Sequence, residues 1–404
     1  MSETIYVYDT VAQADTLIVE VKRPELLQQR YFPTIEPKDI FIGKKVLIDL
    51  DQGDFKKGAF VSKGYVNGNT TTMFSNFVNT PRIAPEDTID LSEDEDRQLM
   101  EQLSRRQGDL VPTHADALNA LGRIKTMRIV DRTARSIEVL CAMALKNNAI
   151  QFQMPTSPTD STPVTVDVEF FDSSNGGKNP QVYTPAADWG ESGATPYNDV
   201  CEMIVELEAH GGRAVDLLMS EKMWQYLYAD MVSQKNIKDQ IHYTVMATGD
   251  VKDLFSEEVE DAKCVGTAAF NGTVLNLLVY KGAYEEIVDN APVTVKYLSD
   301  EFVCLLAPGC GHTVCGSATL PNLMSMVDPN ADTAVERTGK YILSKIVNPY
   351  LPDTAGKALF RCESRPLPAP RKVWGWITLG SAPDGQGDDD NQDDNQDDLD
   401  PDKG

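Results

Sequence analysis

The stretch THADALNALGRIKTMRIVDRTARSIEVLCAMALK, residues 113–146, decides the fold of this chain. Its apolar residues recur at steps of three and four, which places them on one face of a helix. They are Leu118, Leu121, Ile124, Met127, Val130, Ala134, Ile137, Cys141 and Ala144. Pro112-Thr113 is typical of a helix start, and Asn147-Asn148 of a stop. The pattern predicts one helix of about 50 Å, much longer than the mean helix of globular proteins.

Strand patterns lie on the N-terminal side of this helix. Val46, Ile48 and Leu50 recur at every second position, as one face of a strand does. Residues 51–54 have the composition of a turn, and a return strand is predicted at residues 59–61. Such a hairpin has few residues for a core of its own and is marginal alone in water. We therefore expect it to lie on its own body or on a neighbouring subunit.

The second half of the chain mixes helices with many strands. Helices are predicted around residues 200–208 and over residues 220–232, where Ser220 is the cap of the second. The segment 337–345 fits either a strand or a short helix. Further strands are predicted at residues 164–171, 214–219, 264–284, 293–308, 359–368 and 373–380. The fold class is therefore α+β.

The N-terminal residues 1–40 have short apolar clusters separated by proline and charge, which is typical of an extended arm. Tyr31-Phe32 is its one anchor, because two adjacent aromatic side chains need a place to be buried. The alternative is a frayed terminus with a hydrophobic peg.

Charge and cysteine usage limit the classes of function. The chain of 404 residues has a net charge of −25. Residues 383–404 hold ten Asp against one Lys, a net −9, which leaves −16 for residues 1–382. So acidic a body has no general affinity for nucleic acid phosphates. The seven cysteines are odd in number and scattered, which favours free thiols in a reducing cytoplasm. No secretory or membrane-spanning segment is predicted.

Catalytic motifs are not evident in the sequence. The four histidines have no nucleophile-elbow setting, and the common phosphate, zinc-protease and calcium motifs do not occur. Cys310, His312 and Cys315 form a weak candidate zinc site with non-standard spacing, and core packing is the simpler interpretation. We therefore predict no enzyme activity and no cofactor.

The order of segments resembles that of the phage major capsid proteins of the lambda E-protein family, which have the Hong Kong 97-type fold. The similar segments are RYFP (30–33), KKVLIDLDQGDFKKGAFVSKG (44–64), RTARSIEVLCAMALKNN (132–148), ADWGESGATPYNDV (187–200), GGRAVDLLMSEKMWQYL (211–227), VKYLSDEFVCLLAP (295–308) and NPYLPDTAGKALFRCESRPLPAP (348–370). In the fourth of these segments, Trp189 followed by Pro196 and Asp199 resembles a Trp, Pro and Asp pattern of the family. No single segment is specific, but together they cover most of residues 30–370.

This resemblance implies a division of the chain into structural regions. They are an N-terminal arm (1–40), an extended β-hairpin loop (41–92), a peripheral β-sheet domain (93–175) with the spine helix at about 113–147, an axial domain (176–323), a return to the peripheral domain (324–382) and a disordered acidic tail (383–404). Contacts between subunits are expected from aromatic residues of the arm and the loop. Those residues are Tyr31, Phe32, Phe55 and Phe60.

The implied function is that of a major capsid protein of a tailed phage. Its hexamers and pentamers would form an icosahedral head that encloses double-stranded DNA without sequence-specific binding. Scaffolding, portal and decoration proteins are the implied partners, and the chain would assemble in the host cytoplasm and reside in the virion. Two alternatives stay open: an encapsulin-like shell around a protein cargo, and a soluble zinc-binding module.

Overall fold

The computed structural model describes residues 26–34, 38–43, 45–51, 73–89, 114–154, 164–171, 179, 181–233, 262–288, 291–320, 335–338, 342–347, 358–372 and 374–381. The helices are α1 Leu27–Tyr31, α2 His114–Asn147, α3 Pro196–Ala209 and α4 Glu221–Ser233. The strands are β1 Lys45–Asp51, β2 Met73–Asn79, β3 Glu86–Ile89, β4 Ala149–Met154, β5 Val164–Glu169, β6 Val182–Tyr183, β7 Asp216–Met219, β8 Ala262–Phe270, β9 Thr273–Tyr280, β10 Ala283–Val288, β11 Ala291–Lys296, β12 Val303–Leu306, β13 Gly311–Cys315, β14 Ser317–Leu320, β15 Val335–Thr338, β16 Ile342–Val347, β17 Ala358–Glu363, β18 Pro366–Pro370 and β19 Trp376–Leu379.

The long helix α2 confirms the prediction, with 34 residues between the expected start and stop. It ends at Asn148, whose φ of 50° lies in the left-handed region that asparagine tolerates. The predicted apolar face is wrong at Met127, which is 36% exposed, whereas Ile129 and Thr133 are fully buried. The Thr133 hydroxyl donates to the Ile129 carbonyl at 2.9 Å, so this polar side chain is satisfied within the helix.

A six-stranded mixed sheet has the order β6-β19-β12-β7-β9-β8. Its strands are apolar on both faces, because side chains alternate and each face covers a different core. In β7, Leu218 packs into the core that contains α1 and α2, whereas Leu217 and Met219 pack into the core under α3 and α4. The sheet is therefore the wall between two hydrophobic cores.

Local sequence signals explain how the sheet is connected. In the turn between β8 and β9, Asn271 and Gly272 have φ angles of 46° and 85°, which suit a two-residue hairpin. The predicted cap of α4 is confirmed, because the Ser220 hydroxyl accepts a bond from the Met223 amide at 3.3 Å.

The described residues also form six smaller sheets. They are β1-β2, β4-β5, β10-β11, β13-β18, β14-β15 and β16-β17-β3. Strand β1 pairs with β2 from Lys45↔Asn79 to Asp51↔Met73, and Val46 and Ile48 are buried in the α2 core. The base of the predicted hairpin thus lies on its own body, while the predicted return strand at residues 59–61 is outside the described residues. The segment 337–345 lies at the end of β15 and the start of β16, so its strand interpretation is correct. Among the described residues, no helix has the length and apolar character needed to cross a membrane.

Candidate functional site

The arm junction is the place where α1 and residues 32–43 meet α2, the six-stranded sheet and β13. Phe32 is fully buried, and its ring meets Trp376 edge-on with the centroids 5.8 Å apart. Gly311 lies directly against this ring, where an added Cβ would overlap it. Tyr31 is 6% exposed. The expectation that Tyr31 and Phe32 contact a neighbouring subunit is therefore corrected, because both side chains fill the core of their own chain.

Backbone hydrogen bonds hold the rest of the arm segment along β13 and β14. The Thr313 amide donates to the Pro33 carbonyl at 3.1 Å, and the Cys315 amide donates to the Asp39 carbonyl at 2.7 Å. The Phe41 amide donates back to the Cys315 carbonyl at 2.9 Å. The arm segment runs beside β13 much as an added strand would, and it satisfies backbone groups of β13 that would otherwise be unpaired.

Glu138 of α2 is the polar centre of the junction. Its carboxylate is fully buried and accepts bonds from the backbone amides of Gln28 at 2.9 Å and Gln29 at 3.2 Å. It also accepts a bond from the Tyr280 hydroxyl at 3.1 Å. Burial raises the pKa of Glu138 to about 7, although these hydrogen bonds act in the opposite direction. One side chain of α2 thus connects the arm to strand β9.

Asp216 is a second carboxylate beside α1. It accepts a bond from the Tyr31 hydroxyl at 2.9 Å and from the Asn276 side-chain amide at 2.7 Å. Burial raises the pKa of Asp216, and burial together with this carboxylate raises the pKa of Tyr31. The arm is therefore attached to the six-stranded sheet through a hydrogen-bonded pair as well as through the Phe32 ring.

The family of this chain is decided by a sequence comparison. The model of the family described as phage major capsid protein E matches residues 9–379. The chain belongs to this family. It is therefore a shell-forming capsid protein, which assembles with copies of itself and is located in the virion. A search of curated proteins finds no match.

One solved structure supports the fold of this capsid protein. A prophage protein of E. coli CFT073, described as a capsid protein, has a TM-score of 0.53 and 12% sequence identity, and the match covers 92% of this chain and 99% of that one. A phage-related protein from Bordetella bronchiseptica RB50 has a TM-score of 0.42 and 12% identity over 91% and 96% of the two chains. A structure from Mycobacterium phage Che8 has a TM-score of 0.40 and 9% sequence identity, and the match covers 89% of this chain and 92% of that one. The capsid protein has the α+β Hong Kong 97-type fold.

The lead-in to α3 is explained by a second buried network of the capsid protein. Trp189 Nε1 donates to Asp199 Oδ2 at 2.7 Å, and the Tyr183 hydroxyl lies 3.3 Å from Asp199 Oδ1. Pro196 is the first residue of α3, where its missing N–H costs nothing. The three residues singled out in the sequence thus form one structural unit, in which Asp199 fixes the Trp189 ring over the α3–α4 core.

The predicted zinc ligands are not brought together. Among the described residues, no group of three or more His, Cys, Asp and Glu side chains is arranged to hold a metal ion. Cys310 and Cys315 are buried, and burial raises the pKa of Cys310 to about 12. His312 lies three positions from Cys315 on a strand, so the two side chains point to opposite faces. His312 Nδ1 instead contacts Asp39 Oδ1 at 2.9 Å.

Sequence reasoning missed Glu138, Tyr280, Asp216 and Asn276. One signal was available: Glu138 is the single acidic residue in the apolar run IEVLCAMAL, residues 137–145. A charged residue on the buried face of a helix needs partners. The partners themselves are far away in the sequence. The predicted contacts Phe55 and Phe60 lie outside the described residues.

Proposed function

We propose that this capsid protein forms the hexamers and pentamers of an icosahedral head of a tailed phage, and that the head encloses double-stranded DNA. The observation that carries the proposal is the family match over residues 9–379, together with the fold. The charge of −25 supports enclosure without tight binding, because a strongly acidic wall does not hold phosphates.

The proposed regions are the arm at 1–40, the extended loop at 41–92, the peripheral domain at 93–175 and 324–382, and the axial domain at 176–323. The core under α3 and α4 supports an axial domain, since all its members except Ile377 and Leu379 lie within residues 189–305. The core around α2 combines the arm and β1 with residues of both proposed domains. Each weak contact between subunits can suffice because many copies bind at once.

The proposed partners are scaffolding, portal and decoration proteins, and the proposed place of assembly is the host cytoplasm. All seven cysteines are free thiols, which suits a reducing compartment. We further propose a purely structural role without enzyme activity, in keeping with the family.

Negative-stain electron microscopy and light scattering of the full chain test this proposal, alone and co-expressed with scaffolding protein of the same phage. The expected result is capsomer rings and closed shells. Nuclease-protected double-stranded DNA in shells from infected cells is expected as well, whereas protein cargo without DNA would favour the encapsulin-like alternative. Strict monomers at high concentration, at low salt and with scaffold would contradict the proposal.

A further inference from the structure

The exposed side of α2 carries a row of cations, Arg128, Arg132, Arg135 and Lys146, which we call the basic stripe. All four side chains are exposed. At 3.6 residues per turn, they lie within about 60° of one another around the helix axis, and the stripe is about 27 Å long. Its three arginines lie away from the buried Ile129, Thr133 and Ile137, whereas Ala142, on the same side of the helix between Arg135 and Lys146, is buried.

None of the four side chains of the basic stripe forms an ion pair within the described part of the chain, although Asp131 lies one helical turn from Arg128 and from Arg135. Some exposed cations there are paired, for example Lys222 with Glu301 at 3.2 Å and Lys281 with Glu221 at 2.6 Å, whereas single exposed cations such as Lys45 and Lys263 are not. Like charges four residues apart destabilise a helix. A row of cations that outnumbers its neighbouring acid, in a chain of charge −25, is therefore a place where a further anion is favoured.

We propose that the basic stripe binds the Asp-rich run of the same chain, residues 388–402 (DDDNQDDNQDDLDPD). Nine of its fifteen residues are Asp, and none is a cation. Arginine forms the strongest pairs with carboxylates, because its planar fork can donate two parallel bonds. The proposal goes beyond shell formation and assigns a role to residues that follow the family match, which ends at residue 379.

The path of the chain brings the two partners within reach. Strand β19 is the last strand described, and its Thr378 hydroxyl donates to the Leu145 carbonyl at 2.7 Å. Leu145 is the residue before Lys146, so β19 passes beside one end of the basic stripe, and two residues later the Gly380 amide donates to the Tyr183 carbonyl of β6 at 2.7 Å. From Ser381 to Asp388 the chain can extend by at most about 24 Å. The Asp-rich run can therefore cover the stripe from Lys146 toward Arg128.

Tethering favours this occupant over the phosphates of DNA. A linked segment has an effective concentration in the millimolar range, so weak exposed ion pairs suffice to hold it. A DNA duplex must instead approach a body of net charge −16, and four cations offer it few phosphate contacts. The bound Asp-rich run thus screens the basic stripe from nucleic acid.

Carbodiimide cross-linking of the full chain tests the contact, because this reagent joins an amine to a carboxylate that it already touches. We expect an amide between Lys146 and the Asp-rich run, and a second one at position 132 in the variant R132K. The matched control is Lys45, which is exposed on β1 and should not link to the run. In an equal mixture of ¹⁴N- and ¹⁵N-labelled chains the links should stay within one chain, and about 1 M salt should abolish them. Links only between chains, links to the carboxylates of residues 93–96, or no link at either position would overturn the proposal.

Binding of a fluorescent 30-base-pair DNA duplex at low salt tests the screening. In the variant D388N/D389N/D390N/D393N/D394N/D397N/D398N we expect at least tenfold tighter binding than in the wild type. Adding R128Q/R132Q/R135Q should remove this gain, and because these three side chains are exposed, the fold should be retained. Two results together would overturn the proposal: the DNA affinity does not change when the Asp-rich run is neutralised, and the wild type already binds DNA through the basic stripe. They would show that the stripe binds DNA instead of the run.

Discussion

Glu138 and Tyr280 are joined by a hydrogen bond of 3.1 Å, although 142 residues separate them in the chain. The same carboxylate holds the backbone of α1 through Gln28 and Gln29. The arm, the long helix and the six-stranded sheet therefore share one buried acceptor, and a change at Glu138 affects all three. A buried carboxylate with neutral donors is stabilised by those bonds but still carries a cost of desolvation.

Glu138 should give the fold a pH dependence of unusual sign. Its pKa is about 7 in the folded chain and 4.5 ordinarily, so the folded state binds more protons between these values. The contribution of this group to the free energy of unfolding therefore rises as the pH falls from about 7 to 4.5, by roughly 3 kcal/mol in total. Urea unfolding of wild type and E138Q at both pH 8 and pH 5 tests this. The free energy of unfolding of wild type, relative to that of E138Q, should be higher at pH 5 than at pH 8 by about this amount.

The control for this measurement is E285Q, since Glu285 is exposed on β10. The difference in unfolding free energy between wild type and E285Q should stay the same at pH 8 and pH 5. Asp216 is present in all three proteins, so its own titration cancels in the comparison. A difference between wild type and E138Q that is constant with pH would contradict the assignment.

Phe32 and Gly311 should be energetically coupled. The F32A variant should lose about 3–5 kcal/mol of unfolding free energy, because it leaves a cavity against Trp376. The G311A variant should lose about 1–3 kcal/mol through overpacking against the Phe32 ring. In the double variant the alanine at position 311 has room, because the Phe32 ring is gone. Adding G311A to F32A should therefore cost almost no further unfolding free energy. Thermal and urea unfolding of the four proteins give the coupling, and strictly additive losses would rule it out.

Trp189 should stabilise the α3 lead-in through its indole N–H as well as its ring. The W189F variant keeps an aromatic ring but leaves a buried oxygen of Asp199 without its donor, which should cost roughly 1.5–3 kcal/mol. The comparison variant is Y183F, which loses a longer contact to Asp199, at 3.3 Å against 2.7 Å, and an exposed hydrogen bond to Glu202. It should lose less unfolding free energy, and equal losses in the two variants would argue against a special role for Trp189.

Local features of the fold could be predicted from the sequence. The limits of α2 follow from apolar spacing and from Asn148, and the cap of α4 follows from Ser220, because each signal lies within a few residues of the structure that it specifies. The turn at Asn271-Gly272 is of the same kind. Long-range placement could not be predicted. Hydrophobicity indicates that Phe32 is buried but not that Trp376, more than 340 residues later, covers it.

The arm junction shows the same limit for polar residues. The position of Glu138 in an apolar run indicates a buried charge with partners, yet Tyr280 and Gln28 lie on elements that only the tertiary fold brings there. The zinc hypothesis failed for a geometric reason, since a strand separates side chains at odd spacing onto different faces. The choice between a contact within the chain and a contact between chains, for Tyr31 and Phe32, also depends on the tertiary fold.

Arg82 should hold the chain that follows the extended loop to β17. Its Nε and Nη2 donate to the two carboxylate oxygens of Glu363 at 2.9 and 3.0 Å, and the Glu363 side chain is fully buried. In the R82A variant, the one cation near that carboxylate among the described residues is Arg365, 3.9 Å away, so the free energy of unfolding should fall by about 3 kcal/mol. The R82K variant keeps the charge but loses the planar fork, so its loss should be about half as large.

Shell assembly provides the functional measure of this contact. The backbone bonds between Ile83 and Ser364, both 2.9 Å, keep the segment in place in every variant, so the capsid protein should stay folded at 25 °C. If the Arg82 pair orients the extended loop for its neighbour, the shell yield measured by light scattering should fall in the order wild type, R82K, R82A. The control is K222A, because Lys222 forms only an exposed pair with Glu301 and should assemble like wild type. Wild-type yields for R82A, with its stability lowered as predicted, would show that the pair stabilises the subunit but does not orient the loop.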